Sequence, residues 1–185
     1  MKRFASNHTL VYPYVGILGI LLLRLTVDHP YNFVPIFACV LFFGATRRRW
    51  EFPIPLLALI GVDVFLTTSR YSYALTSDQA VTWIWYLVVM ALGAAMLRST
   101  ISAPRVLGAS LLASVGFFLV SNFAVWATWS MYPKTGNGLI ACYVAALPFF
   151  RNSLVSETAC SLLIFVVYRI GVTIRLNVST EGACA

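Results

Sequence analysis

Two carboxylates stand in this sequence where carboxylates are costly. Asp63 lies in the apolar stretch PLLALIGVDVFL (55–66), and Glu157 lies near the head of the apolar run 154–174. An ionisable side chain at the centre of a helix in a bilayer costs roughly 2.5–3.5 kcal/mol on insertion scales, so each one needs a partner or a ligand. Thr67 and Arg70 follow Asp63 at i+4 and i+7, which on a helix shares its face. Asn122, Trp126 and Trp129 repeat that spacing further along. Arg151 and Asn152 precede Glu157, and Ser153, Ser156, Cys160 and Ser161 surround it.

This set suits recognition better than bond-making. Aromatic faces stack on a flat ligand, amides both donate and accept, and an Arg fork holds a carboxylate or phosphate. The candidate ligand contacts are Asn32, Asp63, Arg70, Asn122, Trp126, Tyr132, Lys134, Arg151, Asn152 and Glu157. Catalysis has less to work with. His8 and His29 both fall outside the apolar runs, and Cys39, Cys142, Cys160 and Cys184 show neither CxxC nor Cys/His spacing. An acid/base role would fall to Asp63 or Glu157 with no evident partner base. No metal, no cofactor and no enzymatic activity are expected. There is no GxxxxGK[ST] loop, so any use of ATP would belong to partners.

Each candidate also has a plainer explanation. Asp63 could pair with Arg24, Arg70 or Arg151 for structure alone. Asn122 could join two helices through a hydrogen bond worth about 0.6 kcal/mol. Trp126, Trp129, Tyr71 and Tyr73 could form an interfacial aromatic belt, and Arg151 could anchor a helix end there. Cys39 and Cys160 read as apolar fillers.

The elements that must position these residues follow from composition. Of 185 residues, 60% are apolar and 10% charged, and the mean hydropathy is +0.84. So few charges cannot supply the surface of a soluble globular enzyme. The apolar residues run continuously, without the alternation a membrane β-barrel needs, and they are too many for a disordered chain. An all-α integral membrane bundle remains, a single domain over 1–185. A helix must cross roughly 30 Å at about 1.5 Å per residue. Six spans are predicted, at about 10–27, 31–46, 52–68, 81–97, 106–128 and 154–174. The stretch 137–150, GLIACYVAALPFF with its flank, is too short to cross and predicts a short interfacial or re-entrant helix before the last span.

Net charge is +7, from thirteen Lys and Arg against six Asp and Glu. The longest basic cluster, Arg47 to Arg49, is confined between two apolar runs, so no basic face is available to follow nucleic acid. The basic residues mark orientation instead. With both termini cytoplasmic, Lys2, Arg3, Arg47, Arg48, Arg49, Arg98, Arg105, Arg169 and Arg175 lie inside, leaving Arg24, Arg70, Lys134 and Arg151 outside. The candidate contacts then gather at the outer face of a bacterial cytoplasmic membrane.

The stretches HPYNFVPIFACVLFFGA (29–45), PLLALIGVDVFL (55–66), VLGASLLASVGFFLVSNFAVWA (106–127) and YPKTGNGLIACYVAALPFFRNSL (132–154) resemble the bacterial membrane family DUF6580 over roughly residues 29–165. The resemblance implies a small transport protein. That family is in turn similar to the substrate-binding S-components of energy-coupling-factor vitamin transporters. A vitamin-like ligand would be captured near the outer face, and a transmembrane coupling protein with cytoplasmic ATPases would drive its passage. S-components often carry an AxxxA pattern in the first span for docking, where this chain has Gly16 and Gly19. The competing expectation is a non-catalytic accessory or assembly subunit of a larger membrane complex.

Overall fold

The computed structural model describes residues 11–26 and 35–181, with side chains as far as Thr173, Ser77 excepted. Within the described residues six α-helices follow one another: α1 (Tyr12–Thr26), α2 (Ile36–Thr46), α3 (Pro53–Phe65), α4 (Ser77–Met96), α5 (Ala103–Thr128) and α6 (Gly136–Glu181). A 3-10 turn at Arg49–Glu51 leads into α3, and a wider π turn at Leu66–Arg70 extends it. Among the described residues there is no strand. Among the described residues four segments are long and apolar enough to cross a membrane: Arg49–Arg70, Asp78–Met96, Ala103–Thr128 and Gly136–Thr173. Tyr12–Thr26 and Ile36–Thr46 are shorter apolar helices. This is the architecture of a multi-pass membrane helical bundle.

The centre of the bundle is its shortest helix. At 11 residues α2 rises only about 16 Å, well short of a bilayer's core. Every residue from Phe37 to Ala45 is buried, as expected of a helix that is apolar all round. α1, α4, α5 and α6 all pack on it. Contact with α4 is backbone to backbone: a Cβ at Gly44 would overlap the Met90 carbonyl, and one at Gly93 would overlap the Leu41 carbonyl. Without side chains at these two positions, the helices approach closely enough for dispersion to replace the hydrophobic drive that lipid removes. Edge-on aromatic pairs fill the remainder, with Phe43 against Tyr14 at 5.2 Å and Phe42 against Phe165 at 5.3 Å.

One expectation is corrected. A separate short helix at 137–150 does not occur, because residues 136–181 form one helix of 46 residues with Pro148 inside it. Proline removes a backbone donor and usually bends or breaks a helix. Here α5 supports both sides of the proline. Tyr143 Oη donates to the Leu119 carbonyl at 2.7 Å, and Phe150 stacks on Phe118 at 4.4 Å. Tertiary contact outweighs the local signal. At about 1.5 Å per residue α6 is about 69 Å long, over twice the hydrocarbon thickness. Smaller shifts occur elsewhere: α4 starts at Ser77 instead of 81, and α5 at Ala103 instead of 106. Of the expected span 31–46, the described helix occupies 36–46, and Asn32 lies outside the described residues.

Candidate functional site

Asp63 sits near the end of α3 and joins three helices. Its carboxylate pairs with Arg24 of α1 and accepts from Trp83 Nε1 and Tyr86 Oη of α4, both at 3.2 Å. Both oxygens are engaged, and the side chain is 11% exposed. The polar face expected at i+4 and i+7 also finds partners within the protein. Thr67 Oγ1 accepts from Gln79 Nε2 at 2.9 Å, while Arg70 Nη1 donates to the Leu25 carbonyl at 2.9 Å.

Glu157 serves a different element. Buried on α6, it accepts from the backbone N–H groups of Phe37 at 3.0 Å and Ala38 at 2.7 Å, in the first turn of α2. The first N–H groups of a helix have no partner within it, and the dipole makes that end positive. Pro35, which precedes α2, makes no side-chain cap, so a carboxylate from another helix takes the role. The opposite end is closed in the same way, with Arg98, just past the end of α4, donating to the Gly44 carbonyl at 3.2 Å and to the Arg47 carbonyl. A further buried carboxylate lies beside it. Glu51, 2% exposed, pairs with Arg47, whose Nε donates at 2.6 Å, and also accepts from Tyr14 Oη. The Arg47 guanidinium sits 5.0 Å from the centre of the Tyr14 ring.

Beside the first turn of α2, a cavity of about 230 Å³ opens between α5 and α6. Phe37, Ser114, Phe117, Phe118, Ser121, Asn122, Ala146, Phe149, Phe150 and Ser153 line it. Stacked Phe118 and Phe150 form one wall, while Phe37 and Phe117 meet edge-on at 5.0 Å. Asn122 Nδ2 donates to the Phe118 carbonyl at 2.8 Å, which leaves its Oδ1 and second N–H for something else. Ser114 Oγ is buried with no hydrogen-bond partner. A buried hydroxyl left unsatisfied costs about 1–3 kcal/mol, so this wall of the cavity carries a polar group that a turn of the serine side chain could offer to a ligand. Among the sequence candidates that fall within the described residues, Asn122 alone lines this space.

The remaining candidates complete the turn from α5 to α6. Lys134 donates to the Trp126 and Trp129 carbonyls, the latter at 2.6 Å, satisfying orphan carbonyls at the end of α5. Trp126 Nε1 returns a bond to the Pro133 carbonyl at 2.9 Å, and its ring lies 5.5 Å from the Lys134 ammonium. Trp129 Nε1 donates to Asp78 at 3.2 Å, tying this turn to α4. Tyr132 and Asn152 are half-buried and Arg151 is exposed on α6. A second, larger hollow of about 420 Å³ lies between α1, α2 and α6, lined by residues such as Val15, Phe42, Leu163 and Val167. Its walls are almost wholly apolar, so it selects for nothing beyond a hydrocarbon surface.

A family of unknown function, DUF6580, matches the chain over residues 4–176. The chain belongs to this family. No curated protein and no solved structure matches it.

Within this DUF6580 chain, sequence reasoning passed over Glu51, Arg98 and the serine side of the cavity. Glu51 carried a usable signal, since Arg47 stands four residues before it, the spacing of a helical ion pair. Ser114 and Ser121 carried a weaker one, sharing a face of α5 with Phe118 and Asn122. Arg98 carried none, because its targets are backbone carbonyls of α2. No group of three His, Cys, Asp or Glu is placed to hold a metal ion among the described residues.

Proposed function

We propose that this DUF6580 protein is a membrane-embedded binding component of a small-molecule importer, with the ligand seated in the α2–α5–α6 cavity. What supports the reading is one observation: a pocket with aromatic walls that keeps an unpartnered hydroxyl, Ser114, and a part-used carboxamide, Asn122, in its lining. Pockets that combine apolar walls with a few placed polar groups are the usual form of small-molecule sites. In this reading α1 and α2 join the four longer helices as six spans, with both termini cytoplasmic in a bacterial inner membrane. The charge bias of nine Lys and Arg against four supports that orientation. Asn122 then lies in the outward half of α5. Passage inward would draw on a transmembrane coupling protein and its ATPases, and the chain itself performs no chemistry.

The larger apolar hollow favours a second reading, an accessory subunit that packs beside another membrane protein. Native mass spectrometry of protein purified in mild detergent separates the two. A co-purifying small molecule, lost from Asn122→Leu while the variant stays folded, is the expected result. An empty protein whose melting temperature ignores a panel of vitamins and related ring compounds would remove the capture reading and leave the accessory one.

A further inference from the structure

From the lining of the cavity, and resting on the binding reading above, we infer the class of its ligand: an uncharged, flat compound of one or two rings with a polar group at each end. Charge is decided first. None of the ten lining residues is ionisable. Among the ionisable groups nearby, Glu157 holds two N–H groups of α2, Asp63 holds Arg24, Trp83 and Tyr86, and Lys134 holds two carbonyls at the end of α5, while Arg151 is exposed on α6 and is not part of the lining. A ligand ion entering would lose its water and meet no counter-charge, which a low-dielectric site does not tolerate.

Shape follows from the order of residues on α5. Ser114 and Asn122 are eight residues apart, about 12 Å by helical rise, and Phe117, Phe118 and Ser121 lie between them in the same wall. Ser114 and Asn122 therefore stand at the two ends of the α5 wall, with the two rings and Ser121 between them. Ser114 Oγ both donates and accepts, and Asn122 offers Oδ1 together with one N–H, a match for a hydroxyl at one end and an amide at the other. A volume of about 230 Å³ is roughly eight waters' worth, below the usual range for drug-sized ligands. Rings stack in offset or edge-on contact with Phe walls of this kind.

Saturation-transfer NMR on the full-length protein in detergent tests this with three matched probes. They are 6-hydroxy-2-naphthamide, which is neutral, its carboxylate analogue and its amidinium analogue. Binding of the amide about tenfold stronger than of either ion is expected. Ser114→Ala and Asn122→Leu should each lower the amide signal about fivefold, the serine variant providing the check least open to misfolding. Equal or stronger binding of either ion overturns the inference. So does silence from all three probes when native mass spectrometry still finds a co-purified molecule, which would leave the capture reading standing. Silence together with an empty protein removes both.

Discussion

On one side of the bundle, where α1, α3 and α4 meet, Asp63 is met by Arg24, Trp83 and Tyr86, and neighbouring Thr67 and Arg70 are bonded as well. On the other, between α5 and α6, Ser114 has no partner and Asn122 uses one N–H on its own helix. The two regions touch at Phe37, whose ring lies 6.3 Å from Tyr86 and 5.0 Å from Phe117. By charge the first region is the more conspicuous, yet its polar groups are spent on one another. In a membrane helix a polar residue argues for a ligand only when the protein leaves it short of partners.

The largest test of this contrast is Asp63→Ala. It strands the Arg24 guanidinium, and breaking a largely buried ion pair from one side costs about 3–5 kcal/mol. Thermal unfolding in detergent should drop steeply, while the folded fraction keeps its ligand. A variant that keeps its melting temperature but loses ligand would move the binding site to the α3 side and invert the comparison.

Glu157→Ala comes next. Two first-turn N–H groups of α2 lose their acceptor, and leaving a buried donor unsatisfied costs about 1–3 kcal/mol, so a loss of about 3 kcal/mol is expected. Glu157→Gln keeps one acceptor and should recover about half of that. Because the backbone N–H held by Glu157 belongs to Phe37, a wall of the cavity, ligand occupancy should fall together with stability in both variants. Occupancy untouched by Glu157→Ala would detach the α2 cap from the cavity.

How far these regions could be read beforehand depends on how local their determinants are. The apolar runs put the start of α5 within three residues of its observed position, whereas the i, i+4, i+7 spacing from Asp63 runs into the π turn at Leu66–Arg70, where Thr67 bonds Gln79 and Arg70 bonds Leu25. Arg24 was among the named candidate partners of Asp63, since a buried carboxylate restricts the choice to a few cations. The α2 cap was not legible: Phe37 and Glu157 are 120 residues apart, and nothing in either local sequence announces the other. Pro148 misled for the same reason. Its breaking tendency is local, whereas the Phe118–Phe150 and Tyr143–Leu119 contacts that carry α6 past it are not. Cavities belong to that second kind of property, because they exist only once helices have packed.

Ser114→Ala is the smallest change in stability and the sharpest discriminator. Deleting a buried hydroxyl that has a protein partner destabilises, whereas deleting one that has none removes a desolvation penalty. The melting temperature of the unliganded protein should therefore stay level or rise, by up to about 1 kcal/mol of stability. Ligand binding should weaken at the same time. No residue of the Asp63 network can show that opposition, since every polar group there is used in holding helices together. A lower melting temperature for Ser114→Ala would mean that its hydroxyl is spent inside the protein after all. The two sides of the bundle would then be alike, and Asn122 alone would be left to mark the cavity as a site.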